Sequence, residues 1–338
     1  MDDNRHVTDV VVIGAGPVGL FAVFECGMVR LRCHVVDVLD ETGGQCTALY
    51  PEKPIYDIPG HPRIDAAELV RNLEAQAAPF QPVYHLGQRV ERLDRIGDGW
   101  RVVTSRNVEI DARAVIIAAG VGAFGPNRPP LDGIEAYEGS GVLYYVKRRE
   151  DFRGKRVVIA GGGDSAVDWA LSLQEVADRV MVVHRRAKFR AAPESEARLQ
   201  ALAAEGRIEL VVPYQLQAVE GQGGRLDAVV VATLDGETRR LEADMLLPFF
   251  GLAMELGPIA SWGLALDRDL IVIDPMNCAT SAEGVHAVGD IASYPGKLKL
   301  ILCGFSEAAM AARAIHARVH PDAPLHFEYS TTSGVPRL

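Results

Sequence analysis

The feature that most constrains this sequence is a glycine-rich turn that occurs twice, each time between an apolar run and a stretch of helical character. The first turn is Gly14-Ala-Gly-Pro-Val-Gly19, after the β-branched run 9–13. The second is Gly161-Gly-Gly-Asp-Ser-Ala166, after the run 155–160. Apolar runs of this length are typical of buried parallel strands. Each copy therefore predicts a strand, a tight turn and a helix, the context in which such turns bind dinucleotides.

In the first copy each glycine has a separate predicted role. Gly14 permits the tight turn, Gly16 leaves room for a pyrophosphate, and Gly19 lets the helix pack close to the strand. Pro17, inside the same turn, is a further predicted contact. The next strand ends in Asp37, where a carboxylate would accept hydrogen bonds from a ribose. The alternative is a glycine-rich turn that serves packing alone.

The second copy differs in the residues after its next strand. The chain continues as His184-Arg-Arg-Ala-Lys-Phe-Arg190, with no acid. Guanidinium groups match phosphate geometry, so this cluster predicts binding of a ribose 2′-phosphate, which Asp37 would repel in the first copy. We expect an unphosphorylated dinucleotide at the first turn and NADP(H) at the second, unless the cluster is a solvated turn. The predicted contacts at the second turn are Gly161, Gly163, Ser165, Ala166, His184, Arg185, Arg186 and Arg190.

Two further segments offer polar and aromatic groups to a cofactor. In the proline- and aromatic-rich loop 43–60, Gln45 could hydrogen-bond a heterocycle, and Tyr50 could either stack on a flat ring or merely pack the loop. Asp290 follows a predicted strand and precedes a helix, where its carboxylate could bind the hydroxyls of a sugar-like chain. The hydroxyl-rich tail 327–338 is either another site element or a disordered end.

The order of these segments predicts an α/β protein with two Rossmann-like dinucleotide-binding domains, the second inserted into the first. A break rich in glycine and proline at 121–130 marks the first boundary. We expect residues 1–120 and 249–338 to form the flavin-binding domain and 121–248 the NADPH-binding domain. Within the first domain we expect a hairpin at 100–105 and 108–110, and a separate buried strand at 114–120.

Composition narrows the classes of function. The net charge of −10 argues against nucleic acid as a partner. No apolar run reaches the roughly 18 residues of a membrane helix, and the polar N-terminus predicts no signal peptide. The five cysteines include no C-x-x-C pair, which fits a reducing cytoplasm. Sequence spacing shows neither a metal cluster nor a catalytic triad, so hydride transfer between NADPH and a bound flavin is the simplest chemistry.

Together these motifs resemble the thioredoxin-reductase-like flavoproteins, and most closely the ferredoxin–NADP+ reductases of that type. The closer resemblance rests on the stretches 43–53, 161–169 and 296–301, and it covers essentially the whole chain. It implies a three-layer ββα architecture with the NADPH domain inserted in the FAD domain. The C-x-x-C of thioredoxin reductases has no counterpart in 143–148, which excludes disulfide reduction by that dithiol.

The resemblance also implies roles for individual residues. Those around FAD are Asp37 on the adenosine ribose, Val90 at the adenine through backbone atoms, Gly44, Gln45, Tyr50 and Asp290 near the flavin, and Phe124 at the hinge. The C-terminal tail would fold over the flavin of the partner subunit in a homodimer, with Tyr329 on the ring and Ser330 or Thr331 near N5. The catalytic residues implied are Tyr50, Tyr329 and Ser330. Cys46 departs from an expected leucine, and we favour packing over a redox role for it.

The expected protein is a cytoplasmic, homodimeric FAD enzyme that exchanges electrons between NADP(H) and ferredoxin or flavodoxin. The basic residues that could contact this carrier are Lys147, Arg148, Arg149, Lys297 and Lys299. An acidic ferredoxin would require them to form a local patch, because the protein itself is acidic. Two alternatives remain: an NADPH reductase of a small quinone, disulfide or iron chelate, and a non-catalytic flavin-binding sensor.

Overall fold

The computed structural model describes residues 4–323, 325, 334 and 335, without the side chains of 123, 124 and 252–254. The chain divides into two compact units. Unit 1 comprises Met1–Phe124 and Met254–Leu338, and unit 2 comprises Gly125–Ala253. In sequence, unit 2 thus lies between the two parts of unit 1.

The N-terminal part of unit 1 alternates strands and helices before it ends in a β-meander. Its elements are β1 (Arg5–Ile13), α1 (Pro17–Met28), β2 (Cys33–Val36), α2 (Gln45–Ala48), β3 (Pro54–Ile55), β4 (Ile64–Asp65), α3 (Ala66–Ala77), β5 (Val83–His85), β6 (Val90–Ile96), β7 (Gly99–Thr104) and β8 (Glu109–Ile117). The hairpin expected here is confirmed as β7 and β8, which pair antiparallel.

The two strands expected at 108–110 and 114–120 are wrong in one respect, because they form the single strand β8. Asp111 and Arg113 interrupt its apolar pattern. Both face outward: Asp111 pairs with Arg101 at 2.7 Å, and Arg113 pairs with Asp98 at 2.9 Å. A strand buried on one face at its start and on both faces at its end gives no uniform periodicity.

Unit 2 contains a complete second alternation and an antiparallel sheet. After β9 (Ala123–Pro126), where the chain crosses from unit 1, the elements are β10 (Arg156–Ala160), α4 (Asp164–Leu173), β11 (Arg179–Val183), α5 (Pro193–Ala204), β12 (Glu209–Val211), β13 (Gln215–Gln222), β14 (Arg225–Ala232), β15 (Thr238–Glu242) and β16 (Met245–Pro248).

The chain returns to unit 1 through β17, and the last helix that the structure describes is the long helix α6. The elements are β17 (Leu252–Glu255), β18 (Leu266–Asp267), β19 (Leu270–Val272), β20 (Val285–Ala287), β21 (Ala292–Ser293) and α6 (Ile301–Val319). Short 3-10 helices lie at Ala78–Phe80, Ile134–Tyr137, Arg149–Phe152, Gly257–Ser261 and Gly289–Ile291. Across the described part of the chain, no helix has both the length and the hydropathy to cross a bilayer.

The central sheet of unit 1 has the order β5-β2-β1-β8, with all of these strands parallel. Strand β8 pairs with β7 at its start and with β20 at its end. Helices α1, α3 and α6 pack together beside this sheet. The valines of β1 from Val10 to Val12 are fully buried, which explains why β1 is apolar without alternation.

Unit 2 repeats the parallel arrangement in smaller form. Its four-stranded sheet has the order β12-β11-β10-β16, and all three pairings are parallel. A separate antiparallel sheet, β13-β14-β15, supplies apolar side chains such as Leu226 and Val229 to the same core. In both units a glycine-rich turn therefore lies at the carboxyl end of the central parallel strand, where open α/β sheets bind ligands.

Candidate cofactor cleft and nucleotide turn

Unit 1 contains a cleft of about 1320 Å³, including its open mouth, at the carboxyl ends of β1 and β2. Nine residues predicted from sequence line it together: Gly14, Gly16, Pro17, Asp37, Gly44, Gln45, Tyr50, Val90 and Asp290. They come from segments separated by up to 276 residues, since 290 − 14 = 276. The fold has thus brought the predicted set to one place, although the role of each residue is a proposal.

The first glycine turn has the geometry that a pyrophosphate requires. A Cβ at Gly14, whose φ is +108°, would lie 2.4 Å from Ala118 O, and one at Gly19 would lie 1.9 Å from Gly14 O. A Cβ at Gly16 would meet no atom within 4 Å, because this position faces the open cleft. Helix α1 starts at Pro17, so its first N–H groups are available to an anion.

Asp37 is held at the edge of the cleft by backbone donors. Its Oδ2 accepts the Ala15 N–H at 2.5 Å, and its Oδ1 accepts the Leu39 N–H at 2.8 Å. Burial raises the pKa of Asp37, and these backbone hydrogen bonds oppose that rise. Each carboxylate oxygen keeps a further lone pair, so the side chain can still accept hydrogen bonds from sugar hydroxyls.

The loop that carries Tyr50 is pinned to the glycine turn. The Gly43 N–H donates to Ala15 O at 2.8 Å, and a Cβ at Gly44 would lie 3.2 Å from Gly16 Cα. The short helix α2 then places Gln45 and Tyr50 on the cleft. These contacts give the loop a fixed position beside the turn, which sequence alone did not reveal.

Cys46 and Tyr50 form a pair inside this loop. The two side chains interact, and burial raises the pKa of both groups, that of Cys46 to about 11. The Cys46 side chain is 2% exposed. A thiol with so high a pKa stays protonated at neutral pH, so it is a poor nucleophile. The geometry supports a packing role.

Asp290 also lines the cleft, in the 3-10 turn Gly289–Ile291. Burial raises the pKa of Asp290, whereas the ammonium groups of Lys297 and Lys299 lower it. Beneath the turn is Glu307 of α6, a buried carboxylate that sequence reasoning missed. Its helix has a strongly apolar character, and nothing in the local pattern distinguishes this glutamate from a solvent-facing one.

Sequence reasoning also missed one side of the cleft near Val90. The additional lining residues there are Gln88, Arg89, Glu255, Leu256, Gly257, Pro258, Ile259 and Trp262. Gln88 is fixed by the Thr104 hydroxyl at 2.7 Å, and the Trp262 indole donates to Glu91 O at 3.5 Å. The segment 255–262 has no motif, so only the fold shows that it borders the cleft.

In unit 2 the second glycine turn has a matching geometry. The Gly161 N–H donates to Val183 O at 3.0 Å, and a Cβ at Gly161 would lie 2.7 Å from Phe249 O. A Cβ at Gly163 would meet no atom within 4 Å, and the same is true of a Cβ at Gly16 in unit 1. The Asp164 carboxylate, at the start of α4, accepts the Ala192 N–H at 2.8 Å. Ser165 is exposed and Ala166 is buried.

The basic segment lies directly beside this turn. The Arg190 N–H donates to Gly162 O at 2.6 Å, which draws residues 184–190 against the glycines. The side chains of Arg185, Arg186 and Arg190 are exposed, and they make no ion pair within the described residues. They are therefore available to an anion bound at the turn.

His184 differs from its neighbours because it is 8% exposed. Its ring lies against Gly162, where a Cβ would approach within 2.3 Å, and 5.1 Å from the Phe189 ring. Burial lowers the pKa of His184, so the imidazole is neutral at pH 7. Its Nε2 has no hydrogen-bond partner among the residues that the structure describes. A buried side-chain nitrogen without a protein partner usually hydrogen-bonds a ligand or an ordered water.

Four predicted residues cannot be compared with the structure. Tyr329, Ser330, Thr331 and the side chain of Phe124 lie outside the part of the chain that it describes. Among the described residues, no group of three or more His, Cys, Asp or Glu side chains could hold a metal ion.

The structure changes the expectation for the basic contacts of an electron carrier. The expectation that Lys297 is an exposed contact is wrong, because its side chain is 7% exposed and pairs with Glu307. Arg149 pairs with Glu175 at 2.9 Å, and Arg148 lies 3.7 Å from Asp151. Of the remaining two, Lys147 lies 5.8 Å from the Tyr145 ring, and Lys299 is exposed.

Comparisons with known proteins agree with this architecture. The pyridine nucleotide-disulphide oxidoreductase family matches residues 8–314. A protein of Paramagnetospirillum magneticum named ferredoxin--NADP reductase is 67% identical over 98% of this chain and 99% of its own length. Its namesake in Rhodospirillum rubrum is 63% identical over 98% of this chain and 97% of its own length.

Solved structures confirm the predicted thioredoxin-reductase-like fold. The thioredoxin reductase of Lactococcus lactis has a TM-score of 0.80 at 24% identity and covers 93% of this chain and 99% of its own. That of T. acidophilum has a TM-score of 0.81 at 24% identity, over 92% and 98%. The chain belongs to the pyridine nucleotide-disulphide oxidoreductase family and, within it, to the group of proteins named ferredoxin--NADP reductase.

Proposed function

We propose that this protein is an FAD-dependent ferredoxin–NADP+ reductase, which exchanges a hydride with NADP(H) and single electrons with ferredoxin. The observation that carries the proposal is the presence, in one chain, of a nucleotide turn followed by a buried acid and another followed by exposed arginines. The near-full-length similarity to proteins named ferredoxin--NADP reductase supports the same function.

The cleft of unit 1 fits FAD. Gly16 and the N-terminus of α1 would hold the pyrophosphate, because that position faces open space and presents free N–H groups. Asp37 would bind the adenosine ribose, and backbone atoms of Val90 would bind adenine. Asp290 would bind hydroxyls of the chain that links pyrophosphate to flavin. The N-terminus of α6, where Ile301 lines the cleft, would face the flavin.

The turn of unit 2 fits NADP(H). Gly161 and Gly163 would approach the pyrophosphate, and Ser165 could add a hydroxyl. Arg185 and Arg186 would hold the 2′-phosphate, with Arg190 beside them. Neutral His184 offers its unpartnered Nε2 as an acceptor or donor to the nucleotide. A carboxylate such as Asp37 would repel the 2′-phosphate, so we assign the phosphorylated nucleotide to this turn.

Bound FAD supplies the redox chemistry, because a flavin accepts two electrons as a hydride and releases them singly. The chain's own residues bind, orient and shield it. Tyr50, which is half-buried on the cleft, is proposed to lie against the ring. Tyr329 is proposed to cover the face where nicotinamide arrives, and Ser330 or Thr331 to hydrogen-bond near N5. We propose Phe124 as a contact at the hinge.

Ferredoxin is the proposed carrier, with flavodoxin as a second one. We also propose a homodimer, because the tail 327–338 would then reach the flavin of the partner subunit, and a cytoplasmic location, because the cysteines are free. If ferredoxin docks on the basic residues Lys147 and Arg148 of unit 2, its turnover should fall with salt and with charge reversal at these positions. Turnover insensitive to both would contradict this docking surface.

The test is a combined binding and turnover assay on the purified protein. We expect bound FAD, rapid bleaching of its absorbance by NADPH but not NADH, and fast ferredoxin-dependent reduction of cytochrome c. Absence of bound FAD would refute the proposal. Bleaching without ferredoxin turnover would favour a reductase of a small acceptor, and negligible turnover with every acceptor would favour a sensor.

A further inference from the structure

The Gly289–Asp290 turn rests on a buried carboxylate. Glu307, in α6, is 2% exposed. Its Oε2 accepts the Gly289 N–H at 2.7 Å, and its Oε1 accepts the Tyr294 hydroxyl at 2.7 Å. The same Oε1 accepts the Lys297 ammonium, whose side chain is 7% exposed. Three donors from one loop therefore converge on a single helix side chain.

This cluster forms part of the wall of the cofactor cleft. Gly289 and Asp290 both line the cleft, and Gly289 is bonded directly to Glu307. Helix α6 lies close against the same turn, because a Cβ at Gly304 would be 3.3 Å from Gly289 Cα. Any displacement of Glu307 would therefore be transmitted to the backbone that carries Asp290.

The pair of Lys297 and Glu307 is nearly neutral as a unit, but each partner alone would be a buried charge. Desolvation offsets most of the attraction in a buried ion pair, so such a pair is a weak source of stability. Removal of one partner leaves the other charge uncompensated at low dielectric, where it acts over several ångströms. Lys297 already acts on its surroundings, because it lowers the pKa of Asp290 against the effect of burial.

We propose that Glu307 is a positioning residue for the flavin, and that the Lys297–Glu307 pair sets the reduction potential of the bound FAD by keeping the wall of the cleft electrically balanced. This inference rests on the proposed FAD site in unit 1. Reduction adds electrons to the flavin, so a net positive charge in the wall favours the reduced form and a net negative charge favours the oxidised form.

The test is a charge cycle on the holoenzyme with the variants Glu307→Gln, Lys297→Met and the double variant. The midpoint potential of bound FAD is measured by equilibration with reference dyes, together with its visible spectrum. Glu307→Gln should raise the potential by about 30 mV, a tenfold change in the two-electron equilibrium constant. Lys297→Met should lower it, and the double variant should return most of the way to the wild-type value.

Tyr294→Phe is the matched control, because it removes one hydrogen bond to Glu307 without changing charge. Its potential should stay close to that of wild type. If one single charge variant does not fold, the other still tests the charge balance, since its potential must shift in the direction set by the charge that remains.

Equal potentials in wild type and both single variants would overturn the inference, as would shifts of the same sign in both. Equal shifts in Glu307→Gln and Tyr294→Phe would also overturn it, since they would indicate a structural effect independent of charge. Failure of the proposed FAD site is distinguishable, because the wild-type protein would then contain no FAD whose potential could be measured, and failure of ferredoxin turnover alone leaves the potentials measurable.

Discussion

The two nucleotide turns are built alike and completed differently. In unit 1 Val11 pairs with His34, and in unit 2 Val158 pairs with Met181, in each case three residues before the first glycine of the turn. Up to that point the two units share one strand register. Beyond the second strand, unit 1 continues into buried Asp37, whereas unit 2 continues into exposed arginines.

On the proposed function, this difference would separate a nucleotide that stays bound from one that exchanges. The turn of unit 1 opens into a cleft with buried, backbone-held groups, an environment that would suit a cofactor that stays bound. The basic groups of unit 2 are solvent-exposed, and on the proposed function they would attract a phosphorylated nucleotide. The two turns would then share one geometry and differ in the residues after the second strand.

The largest effect on cofactor binding is expected at Gly19, the last small residue of the turn in unit 1. Gly19→Ala should abolish FAD binding, because its Cβ would lie 1.9 Å from Gly14 O, backbone that cannot move aside. The matched change in unit 2, Ala166→Gly, should leave the FAD content unchanged. The ratio of flavin to protein absorbance measures both. Normal FAD content in Gly19→Ala would contradict the assigned turn geometry.

The next effect concerns the charge after the second strand. Replacement of Arg185 and Arg186 by alanine should reduce the preference of kcat/KM for NADPH over NADH by about 100-fold or more, because hydrogen bonds between charged groups contribute about 1.5–3 kcal/mol each. Arg225→Ala, an exposed arginine of the same unit, is the control and should leave the ratio unchanged. An unchanged ratio in the double variant would refute the 2′-phosphate site.

A smaller effect concerns His34, which occupies the position in unit 1 that Met181 occupies in unit 2. Burial, and then His85, lower the pKa of His34 to about 4, whereas the equivalent Met181 does not titrate. The unfolded chain takes up a proton near pH 6.5 and the folded chain does not, so stability is complete above that pH and is lost as pH falls towards 4. The expected loss from pH 7 to pH 5 is about 1 kcal/mol after solvent screening.

Urea unfolding at both pH values measures this loss. His34→Met, which gives unit 1 the residue of unit 2, should lose less stability between them than wild type. An identical loss in both proteins would show that His34 does not contribute to the acid sensitivity of unit 1.

The smallest effect concerns thiols, which unit 1 contains and unit 2 does not. Cys46 is buried with its pKa raised to about 11, whereas Cys303 is half-buried. Iodoacetamide at neutral pH should therefore modify Cys303 well before Cys46, as read by peptide mass spectrometry. Faster modification of Cys46 would restore the case for a redox role.

Much of the fold could be predicted because local signals agreed with one another. The apolar run before Gly14, the glycine spacing and the following helix are each local, and the structure places β1 and α1 there. Prediction failed where one element crosses two environments. Strand β8 is half-exposed at its start and fully buried at its end, so its charged residues appeared to divide it into two strands.

The candidate site was predictable to the extent that its residues carry motifs. Gly16, Asp37 and Asp290 stand next to strand ends, and parallel strands bring such positions to one edge of a sheet. Trp262 and Glu307 stand in segments with no motif, and they were missed. Lys297 was assigned to the surface because lysine usually lies there, yet its partner is ten residues away on another element.

Two glycine-rich turns with different flanking charge are evident from the sequence alone, because glycine spacing and the residue after the second strand act locally. Which distant groups surround those turns depends on the folded chain. The enclosure of the cleft by residues 255–262, the Tyr50–Cys46 pair and the burial of Lys297 on Glu307 all depend on packing between remote segments. Their burial sets pKa and charge, and burial is a property of the folded chain.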